Sequence, residues 1–243
     1  PLVRYGKISF AFSLRGKGDK MFQDTMTRKL FSPAHDLFRD QVRRFVEMEI
    51  LPYHDDWEEQ GVVSREVWEK AGAAGMLCPT VPEAYGGSGA DYLFSVVVIE
   101  EMARVGATGP GFSIHSEMAA PYLESFGSDD QKEYWLRRLV RGEAISGLAL
   151  TEPGAGSDLR RMTTSAKKTN SGYVLSGQKV FISNGQLGDV FFVAAKTKNE
   201  YSTDSVSLSF LCVSGPRFRK ARELGSRRHF YHKKYLAILA MGF

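Results

Sequence analysis

The sequence is poor in cysteine and has no long run of apolar residues. Its 243 residues include two cysteines, Cys78 and Cys212, which are too few for a disulfide framework and are typical of a reducing compartment. The longest apolar stretches, such as 96–99 and 236–240, are far shorter than the ~20 residues that a membrane helix needs. H-E-x-x-H and C-x-x-C spacings are both missing, which argues against a metal site.

Acidic residues are scarce at both ends of the chain. Residues 1–20 hold five basic residues and one acid, and 214–243 hold eight basic residues and one acid, which leaves 19 basic against 26 acidic residues between them. The formal net charge of +4 therefore belongs to the ends, while the body is acidic. For this reason we expect no nucleic-acid partner, although the chain is basic as a whole.

Helical signals dominate the first half. Ser32-Pro33 suits a helix start, and Ser128 to Gln131 matches a capping box. Apolar spacing places His35 near a helix end among charges, where we expect it to be solvated. The predicted helices cover about 33–50, with Pro52 as an interruption or kink, 65–74, 91–106, 113–126 and 129–141.

Short strand signals follow Gly142-Glu143, and Gly, Asn, Asp and Ser separate them. The predicted strands are 145–151, 163–168, 173–176, 179–183, 190–195 and 206–213. Helices followed by strands indicate an α+β fold with segregated domains and not an alternating α/β sheet. No core-forming period extends into 214–243, so the sequence predicts no fold role for this basic tail.

One segment suggests chemistry. Residues 148–158 read Leu-Ala-Leu-Thr-Glu-Pro-Gly-Ala-Gly-Ser-Asp, a strand that leads into a loop of small residues and hydroxyls. Such a loop brings backbone N–H groups close to a bound anion without side-chain obstruction. A plain surface turn explains the same composition equally well.

This segment resembles the signature of the acyl-CoA dehydrogenase family. A second similar block, Gly-Gln-Lys-Val-Phe-Ile-Ser-Asn-Gly, covers 177–185, and further similar blocks lie at 81–87, 109–116 and 127–143. The block at 109–116 resembles the long-chain branch of the family. The resemblance runs from about Arg28 to Leu211.

The resemblance implies a helical domain, a β domain and a C-terminal helical bundle. It predicts an unmatched extension at 1–27, the N-terminal all-α domain at 28–143, an incomplete antiparallel β-barrel or sheet domain at 144–213, and an unmatched basic tail at 214–243. The bundle is absent from the matched residues.

The implied activity is the FAD-dependent α,β-desaturation of acyl-CoA thioesters in fatty-acid β-oxidation. The resemblance places Leu148, Leu150 and Thr151 along the flavin ring, and Gly156 and Ser157 near the FAD pyrophosphate or the acyl-CoA. The flavin-contacting residues of the second block are Phe181, Ile182 and Ser183.

No catalytic residue is assigned within the matched region. The glutamate base of the family lies in its C-terminal part, and Glu143 and Glu152 are poor substitutes because a base must reach the substrate α-proton. The sequence therefore predicts a catalytically incomplete chain with weak flavin retention. Arg161, at a position where relatives carry a small residue, is expected to point into solvent.

The resemblance also implies partners: an acyl-CoA substrate, an electron-transfer flavoprotein and further copies of the chain. Two alternatives stay open, namely an acyl-CoA oxidase or flavin monooxygenase on the same fold, and a non-catalytic interaction protein that acts through its basic tail. A bacterial cytoplasm is the expected location, with the mitochondrial matrix as the alternative. Residues 1–20 suit either a basic targeting segment or residues that precede a start at Met21.

Overall fold

A computed structural model describes residues 30–169, 172–198, 206–214, 219–220 and 237–240, and it describes side chains within 30–169 and 172–197. The predicted extension at 1–27 lies outside these residues. Within the described part of the chain, no helix has the length and apolar character that crossing a membrane requires.

The first half of the described chain is helical, as the sequence predicts. Most helix starts carry a sequence cap, and the capping box at Ser128 is formed, with its backbone N–H donating to Gln131 at 3.0 Å. The helices are α1 Pro33–Phe45, α2 Leu51–Gln60, α3 Arg65–Ala73, α4 Tyr92–Arg104, α5 Ala120–Phe126 and α6 Asp129–Val140. Two π-helical segments, Val46–Ile50 and Ile114–Ala119, lead into α2 and α5.

His35 is buried in the structure, so its predicted solvation is wrong. Its Nδ1 accepts a hydrogen bond from the backbone N–H of Ser32 at 3.0 Å, and its Nε2 lies 3.1 Å from Asp91 at the start of α4. The side chain thus caps its own helix and also joins two helix ends. Sequence spacing can indicate the contact with Ser32, which is three positions away. It cannot indicate the contact with Asp91, which is 56 positions away.

The second half forms a sheet, and its strands are mixed in direction. The strands are β1 Ser146–Ala149, β2 Ser165–Thr169, β3 Gly172–Lys179, β4 Val190–Lys198, β5 Val206–Ser214, β6 Arg219–Lys220 and β7 Ala237–Ala240. Their order is β1-β4-β2-β3-β7-β6, with β5 also paired to β4. The α+β class is confirmed. The sheet is mixed and not strictly antiparallel, because β1 and β2 run parallel to β4 while the other four described strand pairs are antiparallel.

The parallel pairs have a common origin in the path of the chain. Ala149 at the end of β1 pairs with Val193, and Ser165 at the start of β2 pairs with Lys196, three positions further along β4. The chain therefore leaves the sheet after β1 and rejoins it almost where it left, in the same direction. We call residues 150–164, between these two points, the excursion loop.

Strand β3 replaces two predicted strands. Residues 173–176 and 179–183 were expected to be separate, but the structure has one strand from Gly172 to Lys179. The chain then turns at 180–185, where Phe181 and Asn184 have left-handed backbone angles, with φ 58° and 61°. A left-handed backbone ends a strand, because it breaks the extended geometry that a ladder needs.

The helices and the sheet share a hydrophobic core. Leu148 on β1 and Phe192 on β4 pack against α5 and α6, through Leu123 and Leu136. Arg65 at the start of α3 adds polar contacts, since it donates to Asp189 at 2.6 Å and to the carbonyl of Leu187 at 2.8 Å. The segment just before β4 is therefore held against the helices.

Little of the basic tail is described. Backbone pairing joins β7 to β3 and β6 to β7, both antiparallel, so two short pieces of 214–243 extend the sheet. The sequence predicted no fold role for this region. Its remaining residues lie outside the described part of the chain.

Candidate functional site

The excursion loop exposes its tip and buries its base. Glu152 and Ala155 exchange backbone hydrogen bonds of 2.8 and 3.2 Å, which closes a tight turn. Below the turn, Ala155 and Met162 pack on Ala194 of β4. A Cβ placed on Gly154 or Gly156 would meet no atom within 4 Å, so the backbone at the tip is open to a ligand.

A buried carboxylate fastens the two ends of this loop. Glu152 accepts hydrogen bonds from the backbone and hydroxyl of Thr163, at 2.6 and 2.7 Å, and from the backbone N–H of Thr164 at 2.9 Å. Burial on its own would raise the pKa of Glu152, but the hydrogen bonds from Thr164, Thr163 and Lys179 outweigh it and lower the pKa to about 2. The carboxylate is therefore ionised at neutral pH.

Lys179 ties the loop to the end of β3. Its ammonium group donates to Glu152 at 3.0 Å and to the carbonyl of Leu150 at 2.9 Å, and the side chains of the ion pair are 0% and 2% exposed. Burial lowers the pKa of Lys179, and Glu152 opposes that shift. One residue further, the N–H of Val180 donates to the carbonyl of Thr151 at 2.9 Å. These bonds fix the excursion loop beside the turn at 180–185.

The turn at 180–185 is held to the helices by Asn184. Its side-chain amide donates to the carbonyl of Ser146 at 2.9 Å and to that of Gly111 at 3.2 Å. These bonds leave Phe181 49% exposed and Ser183 exposed. The turn therefore presents an aromatic face and a hydroxyl close to the base of the excursion loop.

A cavity of about 380 Å³ adjoins this turn. Ile182 and Ser183 line one side, and α4, the loop at 107–113 and the π-helical segment at 114–119 line much of the rest. Its lining is mainly apolar, with residues such as Val98, Met102 and Phe112. Glu117 is the only ionisable side chain in the lining within the described residues, and burial raises the pKa of its carboxyl.

Two matches to known families cover most of the chain. Residues 32–143 match the family described as acyl-CoA dehydrogenase, N-terminal domain. Residues 147–233 match the middle domain of the same enzymes, which includes the excursion loop and the turn. The chain belongs to the acyl-CoA dehydrogenase family. The middle-domain match extends beyond residue 213, the predicted end of the β domain.

Curated relatives agree with this membership. The chain is 43% identical to the mitochondrial long-chain specific acyl-CoA dehydrogenase of Sus scrofa over 213 residues, which cover 87% of this chain and 50% of that protein. It is 35% identical to a probable acyl-CoA dehydrogenase of Bacillus subtilis over 86% of this chain and 36% of that protein. The chain thus spans about half the length of the long-chain relatives it matches.

Solved structures share the fold. An acyl-CoA dehydrogenase from Geobacillus kaustophilus superposes with a TM-score of 0.78 at 37% identity, over 87% of this chain and 56% of that one. An acyl-CoA dehydrogenase complexed with FAD, from Bacillus anthracis, superposes with a TM-score of 0.76 at 29% identity, over 88% of this chain and 37% of that one.

The predicted site residues of this acyl-CoA dehydrogenase chain fall into two groups. Four of them are exposed, Gly156 and Ser157 at the loop tip and Phe181 and Ser183 in the turn. Thr151, at the base of the loop, is partly exposed. The other three pack inward or lie in the transition to the core: Leu148 against the helices, Ile182 within the sheet core and against the cavity, and half-buried Leu150 between them. Their contacts with flavin stay a prediction.

Lys179 and Asn184 organise the site, and the sequence assigned neither of them a role. Both lie inside the recognised block at 177–185. A lysine in a strand reads as solvent-facing, and only its fully buried position next to Glu152 shows its task. The possible signal was the pairing of an acid in one block with a base in the other.

Other candidate groups have packing roles. Burial raises the pKa of the Cys78 thiol to about 12, which suits a buried core residue and not a nucleophile. Arg161 is exposed, as expected. Within the described ranges, no three His, Cys, Asp or Glu side chains are grouped to hold a metal ion.

His115 joins the helices to β1 and has a packing role. The ring is fully buried, its Nδ1 accepts from the backbone N–H of Ser146 at 3.0 Å, and its Nε2 lies 3.1 Å from the carbonyl of Leu139. Burial lowers the pKa of His115 from 6.5 to about 4. The ring is therefore neutral in the folded chain, with its proton on Nε2.

His115 should make stability depend on acid pH. The folded pKa lies below the unfolded value, so its contribution is complete above pH 6.5 and is lost as the pH falls towards 4. We expect the wild type to lose roughly 2–3 kcal/mol more than His115→Gln between pH 7.5 and 4.5. Urea unfolding at several pH values measures this difference, and parallel curves for the two proteins would contradict it.

Proposed function

We propose that this chain carries the flavin-binding half of an acyl-CoA dehydrogenase that desaturates acyl-CoA thioesters. The observation that supports this most is the meeting of two segments, the excursion loop and the turn at 180–185, at one surface beside an apolar cavity. The hydrogen bond from the Lys179 ammonium to the Leu150 carbonyl joins residues that are 29 positions apart in the sequence. The role in fatty-acid β-oxidation follows from the named long-chain relatives and belongs to the same proposal.

The residues at this surface fit FAD. A flat heteroaromatic ring needs an apolar or aromatic face and nearby hydrogen-bonding groups, and Phe181, Thr151 and Ser183 supply them. A pyrophosphate needs close backbone approach, and the open positions of Gly154 and Gly156 allow it. In the family, FAD supplies the redox chemistry by accepting a hydride.

The side chains of this chain bind and orient. Phe181 offers its exposed ring as a packing face. The proposed role of the Ser183 and Thr151 hydroxyls is to form hydrogen bonds that would stabilise negative charge on a reduced ring. Ser157, at the loop tip, is free to contact FAD or the acyl-CoA. The buried bonds of Glu152 and Asn184 hold both segments in place before anything binds.

The cavity between α4 and the turn at 180–185 is the proposed acyl-chain site. Its apolar lining suits a hydrocarbon, and Ser183 belongs both to the cavity and to the proposed flavin surface. An acyl chain in the cavity would therefore lie next to the flavin. This arrangement is what removal of a hydride from the β-carbon requires.

The proton acceptor is not assigned to this chain. Glu152 is unsuited, because it is buried, has a pKa of about 2 and already accepts hydrogen bonds from Thr163, Thr164 and Lys179. Glu143 is exposed next to Arg141 and precedes β1, whereas the excursion loop follows the other end of that strand. We propose that the glutamate base of the family is supplied from outside the matched residues.

Partners and location are proposed on the relatives. An electron-transfer flavoprotein is the proposed acceptor, and an electron transferring flavoprotein structure from Acidaminococcus fermentans is among the superposing chains, with a TM-score of 0.75. Assembly into a homo-oligomer is proposed from the family. The relatives include mitochondrial and bacterial proteins, and we keep a bacterial cytoplasm first and the mitochondrial matrix second.

Titration with FAD tests this proposal. We expect saturable binding that is lost on dialysis, and Phe181→Ala should weaken it by roughly five- to thirtyfold, because an aromatic packing contact is worth about 1–2 kcal/mol. Phe126→Ala is the matched control, since Phe126 is 82% exposed on α5, outside the proposed surface. Quenching of flavin fluorescence gives the dissociation constants.

Two results would count against the proposal. Wild-type protein that gives no saturable FAD signal would remove the flavin assignment. FAD binding to both variants with the wild-type dissociation constant would place the flavin away from the turn at 180–185.

A further inference from the structure

We propose that Glu152 and Lys179 form a latch that positions the flavin-binding surface, beyond any contribution to overall stability. The inference rests on the proposed function, because it concerns the surface assigned to FAD. Both residues act through other groups, so they are positioning residues and not catalytic ones.

The first argument is the connectivity of the pair. Glu152 binds Thr163 and Thr164, at the far end of the excursion loop, so one carboxylate closes a loop of more than ten residues. Lys179 binds Glu152 and the Leu150 carbonyl, and it ends the strand that leads into Phe181. One pair thus joins the loop base to the turn.

The second argument is the contrast between the base and the tip. The ion pair is almost completely buried, whereas Pro153, Gly154, Gly156 and Ser157 are exposed. The tip residues therefore gain little order from packing of their own, apart from Ala155. A loop with an exposed tip keeps one geometry only if its base is fixed, and the latch supplies most of the side-chain bonds there.

The third argument is that the buried base of the loop is held by an ion pair and not by apolar side chains. A buried ion pair is weak evidence for stability, because similar apolar groups often replace it at no cost, while loss of one partner leaves a buried charge. Its directional hydrogen bonds, in contrast, specify where the joined segments lie. The chemistry therefore suits a positioning role better than a purely stabilising one.

Paired variants separate the two roles. Lys179→Met alone leaves a buried carboxylate, and we expect a lower urea midpoint, faster amide exchange in 153–164 and FAD binding weakened at least about tenfold, the scale seen when groups that orient a binding site are removed. The double variant Glu152→Gln/Lys179→Met is neutral. It should regain the urea midpoint, but its FAD affinity and its loop exchange should stay impaired, because nothing reaches the Leu150 carbonyl.

The exposed pair Glu133–Arg137 on α6 offers a matched control. Glu133→Gln/Arg137→Met makes the same chemical change on the surface, where the Arg137 and Glu133 side chains are 41% and 58% exposed. This control should leave the loop exchange and FAD binding as in the wild type. It should lower the urea midpoint only slightly, since it loses an exposed ion pair and the bond from Arg137 to the Ala84 carbonyl.

The outcomes decide the proposal. A double variant that regains the urea midpoint, loop protection and FAD affinity together would overturn the latch and leave a structural pair only. Amide exchange in the absence of FAD decides the matter even if wild-type protein binds no FAD, which would defeat the proposed function alone. If Lys179→Met does not fold, the double variant and its exchange pattern carry the test.

Discussion

Replacing Glu101 by glutamine is expected to lower the free energy of unfolding by roughly 3–5 kcal/mol, the range for breaking a buried ion pair. Glu101 lies on α4 with 3% of its side chain exposed, and it accepts hydrogen bonds from Arg43 at 3.0 Å, Arg104 at 2.9 Å and Arg39 at 3.2 Å. Burial would raise the pKa of Glu101, but the arginines lower it on balance.

The physical cause of this loss is the charge left behind. Arg39 and Arg43 belong to α1 and are 15% and 30% exposed, and both would lose their shared anion in a partly buried place. Arg39 keeps Glu100 at 2.8 Å, so Arg43 is more affected by this loss. The pairing of α1 with α4 should weaken as a result. Urea unfolding of the wild type and Glu101→Gln at pH 7 measures the change.

Glu133→Gln is the control for this prediction. Glu133 pairs with Arg137 one turn away on α6, but the pair is exposed, and such pairs contribute about 0.3–0.5 kcal/mol. A Glu101→Gln loss as small as the Glu133→Gln loss would show that the arginine cluster contributes little to the helical half.

Replacing Gly142 by alanine should cost roughly 3 kcal/mol or more. Gly142 follows α6 with φ +70°, a left-handed angle that strains other residues, and a Cβ there would lie 2.1 Å from the carbonyl oxygen of Trp68. Gly72 makes the reciprocal approach, since its Cβ would lie 2.3 Å from the backbone carbon of Arg141. The backbone of α3 and the end of α6 therefore touch directly.

Gly154→Ala is the matched control, because a Cβ on Gly154 would meet nothing within 4 Å. It should change the free energy of unfolding by no more than about 0.5 kcal/mol. Thermal or urea unfolding of both variants measures the difference. A small loss for Gly142→Ala would mean that the contact between α3 and α6 adjusts easily.

Helices were the part of the fold that the sequence predicted best. Their starts depend on local signals such as Ser128 and Gln131, which form the expected cap. The left-handed turns in the loops have no such local signal. The π-helical segments at 46–50 and 114–119 have none either. His35 was misjudged because its partner Asp91 is remote in sequence.

Strand direction could not be predicted from the residues. A strand pattern shows which residues are apolar, but β1 and β2 run parallel to β4 only because the excursion loop returns the chain along the same line. The division of β3 was also misjudged, since one strand was expected to end at 176 and another to begin at Lys179, whereas Lys179 is the buried end of a single strand. Tertiary contacts decide both features.

The site was predicted as two blocks without their geometry. Resemblance indicated the residues at 148–158 and 177–185, whereas the bonds between Lys179, Glu152 and Leu150 explain why the blocks lie together. The inward packing of Leu148 and Ile182 could not be read from a motif, because a motif records which residues recur and not which way they point.

Hydrogen exchange with and without saturating FAD is the most direct test of the account, whose central claim is that the excursion loop and the turn at 180–185 form one flavin-binding surface. The account predicts slower amide exchange on FAD addition in peptides that cover 150–158 and 180–185, with α1 and α2 unchanged. Protection that avoids both segments, or that falls on only one of them, would contradict it.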